Sequence, residues 1–129
     1  MVSRDFQCAR RGNLIVDAAQ NALLTYSIAY TNTGGTYSSN LVVADAIPAN
    51  TDFKVGSATN APETSGLTAV IAYSNDNGAT WTYTPVSAGA GAVAGYDRSV
   101  TKVRWAFTGN LGQTAPNNTG SVGFTVRIR

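Results

Sequence analysis

The stretch "LLTYSIAYTNTGG" (residues 23–35) decides the fold, because its large apolar and its small or polar residues alternate. In an extended chain, one face would carry Leu24, Tyr26, Ile28 and Tyr30, and the other face would carry the residues between them. A period of two is the signature of a half-buried β-strand. The run ends in Asn, Thr and Gly, which favour a turn. We therefore expect a core strand that ends in a reversal.

The same alternation recurs along the chain between turns rich in Gly, Asn and Pro, whereas helix signals are weak. About eight short strands at this spacing predict an all-β fold, an antiparallel β-sandwich of about seven to nine strands. The predicted strands are 13–16, 24–30, 40–48, 51–59 as an edge strand, 66–74, 80–85, 102–109 and 120–129. Beyond residue 100, the inward positions are Val103, Trp105, Phe107, Val122, Phe124, Val126 and Ile128.

Length and composition favour one exported domain. The 129 residues fit a single sandwich at 13–129 behind a basic N-terminal segment at 1–12. Only 12% of residues are charged, about half the usual share, which is typical of extracellular or cell-surface β-proteins. The first residues lack the apolar core of a signal peptide, so an exported form would be a mature chain or an excised piece.

The charges exclude some partners and suggest others. A net charge of +2 is too small to indicate nucleic acid, and no apolar run is long enough for a membrane span. Both ends are basic and the middle is acidic, which fits either contact between copies or charge scattered over a solvated surface. The single cysteine, Cys8, cannot form an internal disulfide and is either an inert thiol or half of an intermolecular bridge.

The sequence offers no evident catalytic base, and its seven acidic residues show no catalytic arrangement. The chain contains no histidine, which excludes Ser-His and Cys-His nucleophile pairs and the usual zinc sites. We therefore expect no enzyme, no catalytic residue and no cofactor. Asp76 and Asp97 are weak calcium candidates, but a turn held by bonds from side chain to backbone explains such residues better.

"YSNDNGATW" (73–81) contains the Asp-box pattern Ser74-x-Asp76-x-Gly78-x-x-Trp81, known from sialidases and other β-propellers. A propeller needs several four-stranded blades, and this chain could supply no more than about two. The motif therefore predicts a structural turn. Ser74 and Asp76 would bond turn amides, Asn77 and Gly78 would make the reversal, and Trp81 would seat the hairpin on the core.

Four stretches together resemble the bacterial and archaeal surface-repeat family known as domain of unknown function eleven. They are "LLTYSIAYTNTGG", "NLVVADAIPANTDFKVGSAT", "YSNDNGATW" and "VTKVRWAFTGNLGQTAPNNTGSVGFTVRIR", and the resemblance covers roughly residues 13–129. The resemblance implies an immunoglobulin-like β-sandwich in large exported proteins, often repeated in tandem as a stalk or cell-wall component. It carries over no catalytic residues.

We therefore expect a non-enzymatic structural subunit that polymerises with itself into a filament, stalk or surface layer. Residues 1–12, together with 13–16, could donate a strand to a neighbouring copy, or pack on their own sandwich. The alternative function is an adhesin-type module that binds carbohydrate or protein through its loops, with Tyr37 and Tyr96 as open candidates. The assembly candidates are Cys8, Leu14, Ile15, Val16, Arg127 and Arg129.

Overall fold

A computed structural model describes residues 6–11, 21–61 and 65–129, with the backbone alone described for 6–11 and for residue 61. All regular structure in these ranges is β-strand, which confirms the predicted all-β sandwich. The eleven strands described, three of them only two residues long, are β1 (Phe6–Arg11), β2 (Leu23–Asn32), β3 (Ser38–Ser39), β4 (Val42–Ala46), β5 (Thr51–Lys54), β6 (Thr59–Ala61), β7 (Thr68–Ser74), β8 (Tyr96–Asp97), β9 (Lys102–Thr108), β10 (Asn110–Leu111) and β11 (Thr119–Ile128).

The strands form two main antiparallel sheets. The larger sheet has the order β1-β2-β11-β5-β8, and β6 also pairs with β11. Its longest ladder joins β2 to β11, from Thr31 opposite Thr119 to Leu23 opposite Arg127. The smaller sheet has the order β4-β9-β7, and β10 and β3 form a separate two-stranded ribbon.

The core lies between these sheets and is built largely from aromatic side chains. Trp105 on β9 lies 6.3 Å from Phe124 on β11, measured between ring centroids, and Phe53 lies 5.5 Å from Tyr73. The indole of Trp105 also donates a hydrogen bond of 3.0 Å to the carbonyl oxygen of Thr59. Full burial of each such side chain contributes roughly 1.5–3 kcal/mol, so these contacts account for much of the stability.

The alternation in the sequence identified most of the core. Every predicted inward residue is buried except Leu24 and Ile128, which are half-buried. The buried apolar residues are Tyr26, Ile28, Tyr30, Leu41, Val43, Phe53, Leu67, Ala92, Val100, Val103, Trp105, Phe107, Leu111, Val122, Phe124 and Val126.

The prediction of an edge strand at 51–59 is wrong. β5 lies between β11 and β8, and its Phe53 is fully buried. Gly56, at φ 82°, falls in the turn after Lys54, and the chain returns as β6 to pair with β11 as well. A left-handed residue at this point divides the run into two short strands inside the sheet.

The predicted strand at 80–85 is also wrong. Within it, Tyr83 alone forms a bridge, with Tyr73. Pro85 has no N–H to extend a ladder, and the hydroxyl of Tyr83 is directed to Asp97. The predicted strand at 13–16 lies outside the described residues.

Candidate functional site

Hydrogen bonds within the Asp-box turn hold it in one conformation. The buried hydroxyl of Ser74 donates to Asp76 Oδ1 at 2.6 Å and accepts the backbone N–H of Gly78 at 2.8 Å. Asp76 in turn accepts the backbone N–H of Thr80 at 2.9 Å and its hydroxyl at 2.6 Å. These bonds, that from Ser74 foremost, lower the pKa of Asp76 to about 2, because they stabilise the ionised carboxylate.

Asn77 and Gly78 make the reversal itself. Their φ angles are 60° and 91°, and the backbone N–H of Ala79 donates to the carbonyl oxygen of Asp76 at 3.3 Å. Positive φ at both central positions is typical of a type I′ turn. The N–H of Asn77 also donates to the Thr101 hydroxyl at 2.9 Å, which fixes the turn to the connection between β8 and β9.

Trp81 does not occupy the expected place on the core. It lies on the outer side of β9, where the Arg104 guanidinium is 4.8 Å from the centre of its ring. Arg104 is on this outer side because its neighbours Val103 and Trp105 point into the core. Local spacing does not specify which face of a sheet the side chain after a turn covers, so the sequence could not distinguish these places.

Trp81 instead lines an open groove of about 440 Å³ beside β7. Three aromatic side chains, those of Tyr73, Trp81 and Tyr83, contribute to its walls, with Pro85 and Arg104 beside them. The Nε atom of Arg104 is buried and has no hydrogen-bond partner among the described residues. The groove thus combines aromatic surface with a guanidinium group at its wall, a common composition for a ligand site. The expected contact residues Tyr37 and Tyr96 do not line it.

Asp97 is fully buried and organises the long loop that precedes β8. Its Oδ2 accepts the Tyr83 hydroxyl at 2.6 Å and the N–H of Val86 at 2.8 Å, and its Oδ1 accepts the N–H of Ser99 at 2.8 Å. Gly89 lies so close that an added Cβ would come within 2.1 Å of Oδ1. The Gly- and Ala-rich loop is therefore built around a carboxylate, which composition could not indicate.

The two calcium candidates, Asp76 and Asp97, accept hydrogen bonds from different donors. The oxygens of Asp76 accept donors from Ser74 and Thr80, and those of Asp97 accept donors from its own loop. Within 21–61 and 65–129, no three His, Cys, Asp or Glu side chains gather into a metal-binding group.

A second fully buried carboxylate, Asp52 on β5, binds two arginines. Arg98 donates to it through Nε at 2.9 Å and through Nη2 at 3.1 Å, and the Nε of Arg129 lies 3.2 Å from Oδ1. Hydrogen bonding to Asp52 raises the pKa of Arg98. The sequence could not place this cluster, because it forms only where β5, β8 and the end of β11 become neighbours.

The assembly candidates occupy different positions. Cys8 lies opposite Tyr30 in the ladder between β1 and β2, and residues 14–16 lie outside the described ranges. Arg127 bonds the side chain of Asn21 and lies 5.9 Å from the ring of Tyr96. Since Arg129 binds Asp52, both C-terminal arginines already have partners within their own chain.

The chain has no significant match among protein-family models, curated proteins or solved structures. No helix long and apolar enough to cross a membrane occurs in the ranges that the structure describes.

Proposed function

We propose that the chain is a non-enzymatic structural subunit of an extracellular or cell-surface assembly, built from copies of itself by exchange of β1. We also propose that its sandwich is immunoglobulin-like and belongs to the surface-repeat family. The observation that carries it is the position of β1 at the end of the larger sheet, where β2 is its one ladder partner among the described strands.

The β1 strand of a neighbouring copy could replace β1 beside β2 without loss of ladder hydrogen bonds. Six residues of β1 face residues 27–32 of β2 in an antiparallel register, from Phe6 opposite Asn32 to Arg11 opposite Ser27. A neighbouring copy carries the same β1 sequence, so its strand could form the same ladder in the same place. The net free energy of exchange then depends mainly on chain entropy and protein concentration.

Removal of β1 would leave an attractive acceptor edge. β2 supplies Tyr26, Ile28 and Tyr30 to the core, so it stays anchored when its neighbour leaves. Its exposed N–H and C=O groups would then offer a template for another strand. This combination of a fixed acceptor and a terminal donor supports assembly by strand addition.

An exposed apolar row on the smaller sheet supports lateral contacts between copies. Val42, Ala106 and Val70 lie side by side across β4, β9 and β7. Val42 is 52% exposed and Val70 is 63% exposed. Burial of this row against a second copy would remove apolar surface from water.

Electron microscopy of the purified protein over a concentration series tests the proposal. We expect filaments or sheets above a threshold concentration and none from a chain that lacks residues 2–16. Circular dichroism must show that the shortened chain keeps its β-structure. A full chain that stays monomeric at every concentration, or a folded truncated chain that polymerises equally well, would refute strand exchange.

A second candidate function is an adhesin-type binding module, which the aromatic groove beside β7 favours. A glycan array, followed by titration of the ligands it retains, tests this function. Binding lost in Trp81→Ala and kept in Tyr37→Ala would assign recognition to the groove. Equal loss in both variants, or no specific binding by the parent chain, would count against it.

A further inference from the structure

A separate cleft of about 200 Å³ lies at the end of the sandwich where the Asp-box turn is fixed, and it shares no lining residue with the aromatic groove. Its walls are formed by the connections between β4 and β5, between β7 and β8 and between β8 and β9, together with the end of β11. The polar lining residues are Asn77, Arg98, Thr101, Arg129 and Thr51, and the apolar ones include Ile47, Pro48 and Val100.

The two arginines of this cleft are held in place by Asp52. Its carboxylate is completely buried, whereas the side chains of Arg98 and Arg129 are 35% and 39% exposed. The two-pronged contact with Arg98 already supplies one positive charge to this buried carboxylate. Arg129 therefore adds a positive charge beyond what the carboxylate neutralises.

The contacts with Asp52 also determine which guanidinium atoms face a ligand. They use the Nε atoms of both arginines and Nη2 of Arg98. Nη1 of Arg98 and the two terminal nitrogens of Arg129 lie outside these contacts. Guanidinium donors fixed in this way suit an oxyanion, and a planar carboxylate in particular, because little side-chain entropy is lost on binding.

The rest of the cleft suits a small hydroxylated ligand. The Thr101 hydroxyl accepts the N–H of Asn77 and donates to the Ser74 carbonyl at 3.0 Å, so this wall is rigid. The Thr51 hydroxyl donates to the Pro48 carbonyl at 2.7 Å and keeps a lone pair to accept from a ligand. The volume of about 200 Å³ can admit a small ligand on the scale of one sugar ring.

We propose that the cleft binds a small acidic sugar of hexuronate size. Its carboxylate pairs with the guanidinium nitrogens of Arg98 and Arg129 that do not contact Asp52, and its hydroxyl groups contact the side chains of Thr51 and Asn77. Asp52 acts as a positioning residue, since it orients both arginines without touching the ligand. The site does not depend on exchange of β1.

A titration with glucuronate, followed by NMR on the isotope-labelled full chain in low salt, tests the site. We expect saturable shifts at the backbone amides of Asn77, Val100 and Thr101, and none at those sites with glucose. Acetate supplies the carboxylate without the hydroxyl groups and should bind at least about tenfold more weakly, the effect of roughly one lost hydrogen-bonded contact.

Two arginine variants make the test specific. Arg129→Gln should weaken glucuronate binding by at least about tenfold, because it removes a charge-assisted contact. Arg127→Gln is the matched control, since Arg127 does not line the cleft, and it should bind like the parent chain. The proposal is wrong if glucuronate gives no saturable shifts, if glucose or acetate binds as tightly, or if Arg129→Gln binds unchanged while its spectrum shows a folded protein.

Discussion

The hydroxyl of Tyr83 donates a hydrogen bond of 2.6 Å to Oδ2 of the fully buried Asp97. This contact joins the segment after the Asp-box turn to the strand that closes the larger sheet. Since Oδ2 also accepts the N–H of Val86, the carboxylate of Asp97 fixes both ends of the loop between Val86 and Asp97.

Loss of the hydrogen bonds to Asp97 should destabilise the domain, and two variants measure the effect. Tyr83→Phe removes one bond and should lower the free energy of unfolding by about 1 kcal/mol. Asp97→Asn should cost more, about 2–3 kcal/mol, because its amide group would face the N–H of Val86 or Ser99. Urea unfolding measures both. Tyr37→Phe, at a residue 50% exposed, is the control; equal stability of all three variants would contradict the role of Asp97.

Gly89 should tolerate no side chain. An alanine Cβ would lie 2.1 Å from Oδ1 of Asp97, so Gly89→Ala must displace the carboxylate or the loop. We expect a loss of about 2–4 kcal/mol, in the range of overpacked or unsatisfied buried sites. Gly35→Ala has open space around its Cβ and should change stability by less than about 1 kcal/mol. Thermal unfolding of the pair provides the test, and similar melting temperatures would refute the close packing.

Asp76 should make stability depend on acid pH. Its folded pKa of about 2 lies below the ordinary value of 3.8 for an aspartate, so the ionised form stabilises the fold. This stabilisation is complete above the unfolded pKa and is lost as the pH falls through the folded value. The melting temperature of the parent chain should therefore fall more between pH 4 and about 2 than that of Asp76→Asn. Parallel pH profiles for the two proteins would contradict this role.

The two tryptophans should differ in their contribution to stability. Trp105 is completely buried between the sheets, so Trp105→Ala should cost about 3–5 kcal/mol. Trp81 lies on the outer face against Arg104, and Trp81→Ala should cost about 1 kcal/mol or less. Denaturant titrations separate the two cases. A loss at Trp81 as large as that at Trp105 would place Trp81 in the core after all.

Alternation was sufficient to predict β2, β9 and β11, because each has one buried face and keeps its period of two over a long run. Alternation does not predict the order of the strands within the sheets. β5 is short, and its interior position depends on pairing with β11 and β8, which are distant in sequence. Local pattern contains no information on such long-range neighbours.

The candidate sites likewise include local contacts, which the sequence indicates, and long-range contacts, which it does not. The hydrogen bonds of Ser74 and Asp76 are local, and the motif indicated them directly. The place of Trp81 depends on the packing of a neighbouring sheet face. The cluster of Asp52 with Arg98 and Arg129 joins residues from three separate parts of the chain. Only the assembled fold brings these charges together.

The central claim, exchange of β1, is tested most directly by a disulfide across its ladder with β2. Ala9 lies opposite Ala29 in this register, so Ala9→Cys with Ala29→Cys, in a Cys8→Ser background, can link the strands. Oxidation of the dilute monomer should lock β1 within its own chain and block assembly, and reduction should restore it. Oxidation after assembly should produce covalent ladders on a non-reducing gel. An oxidised, internally linked chain that assembles as readily as the reduced one, as judged by electron microscopy, would contradict strand exchange.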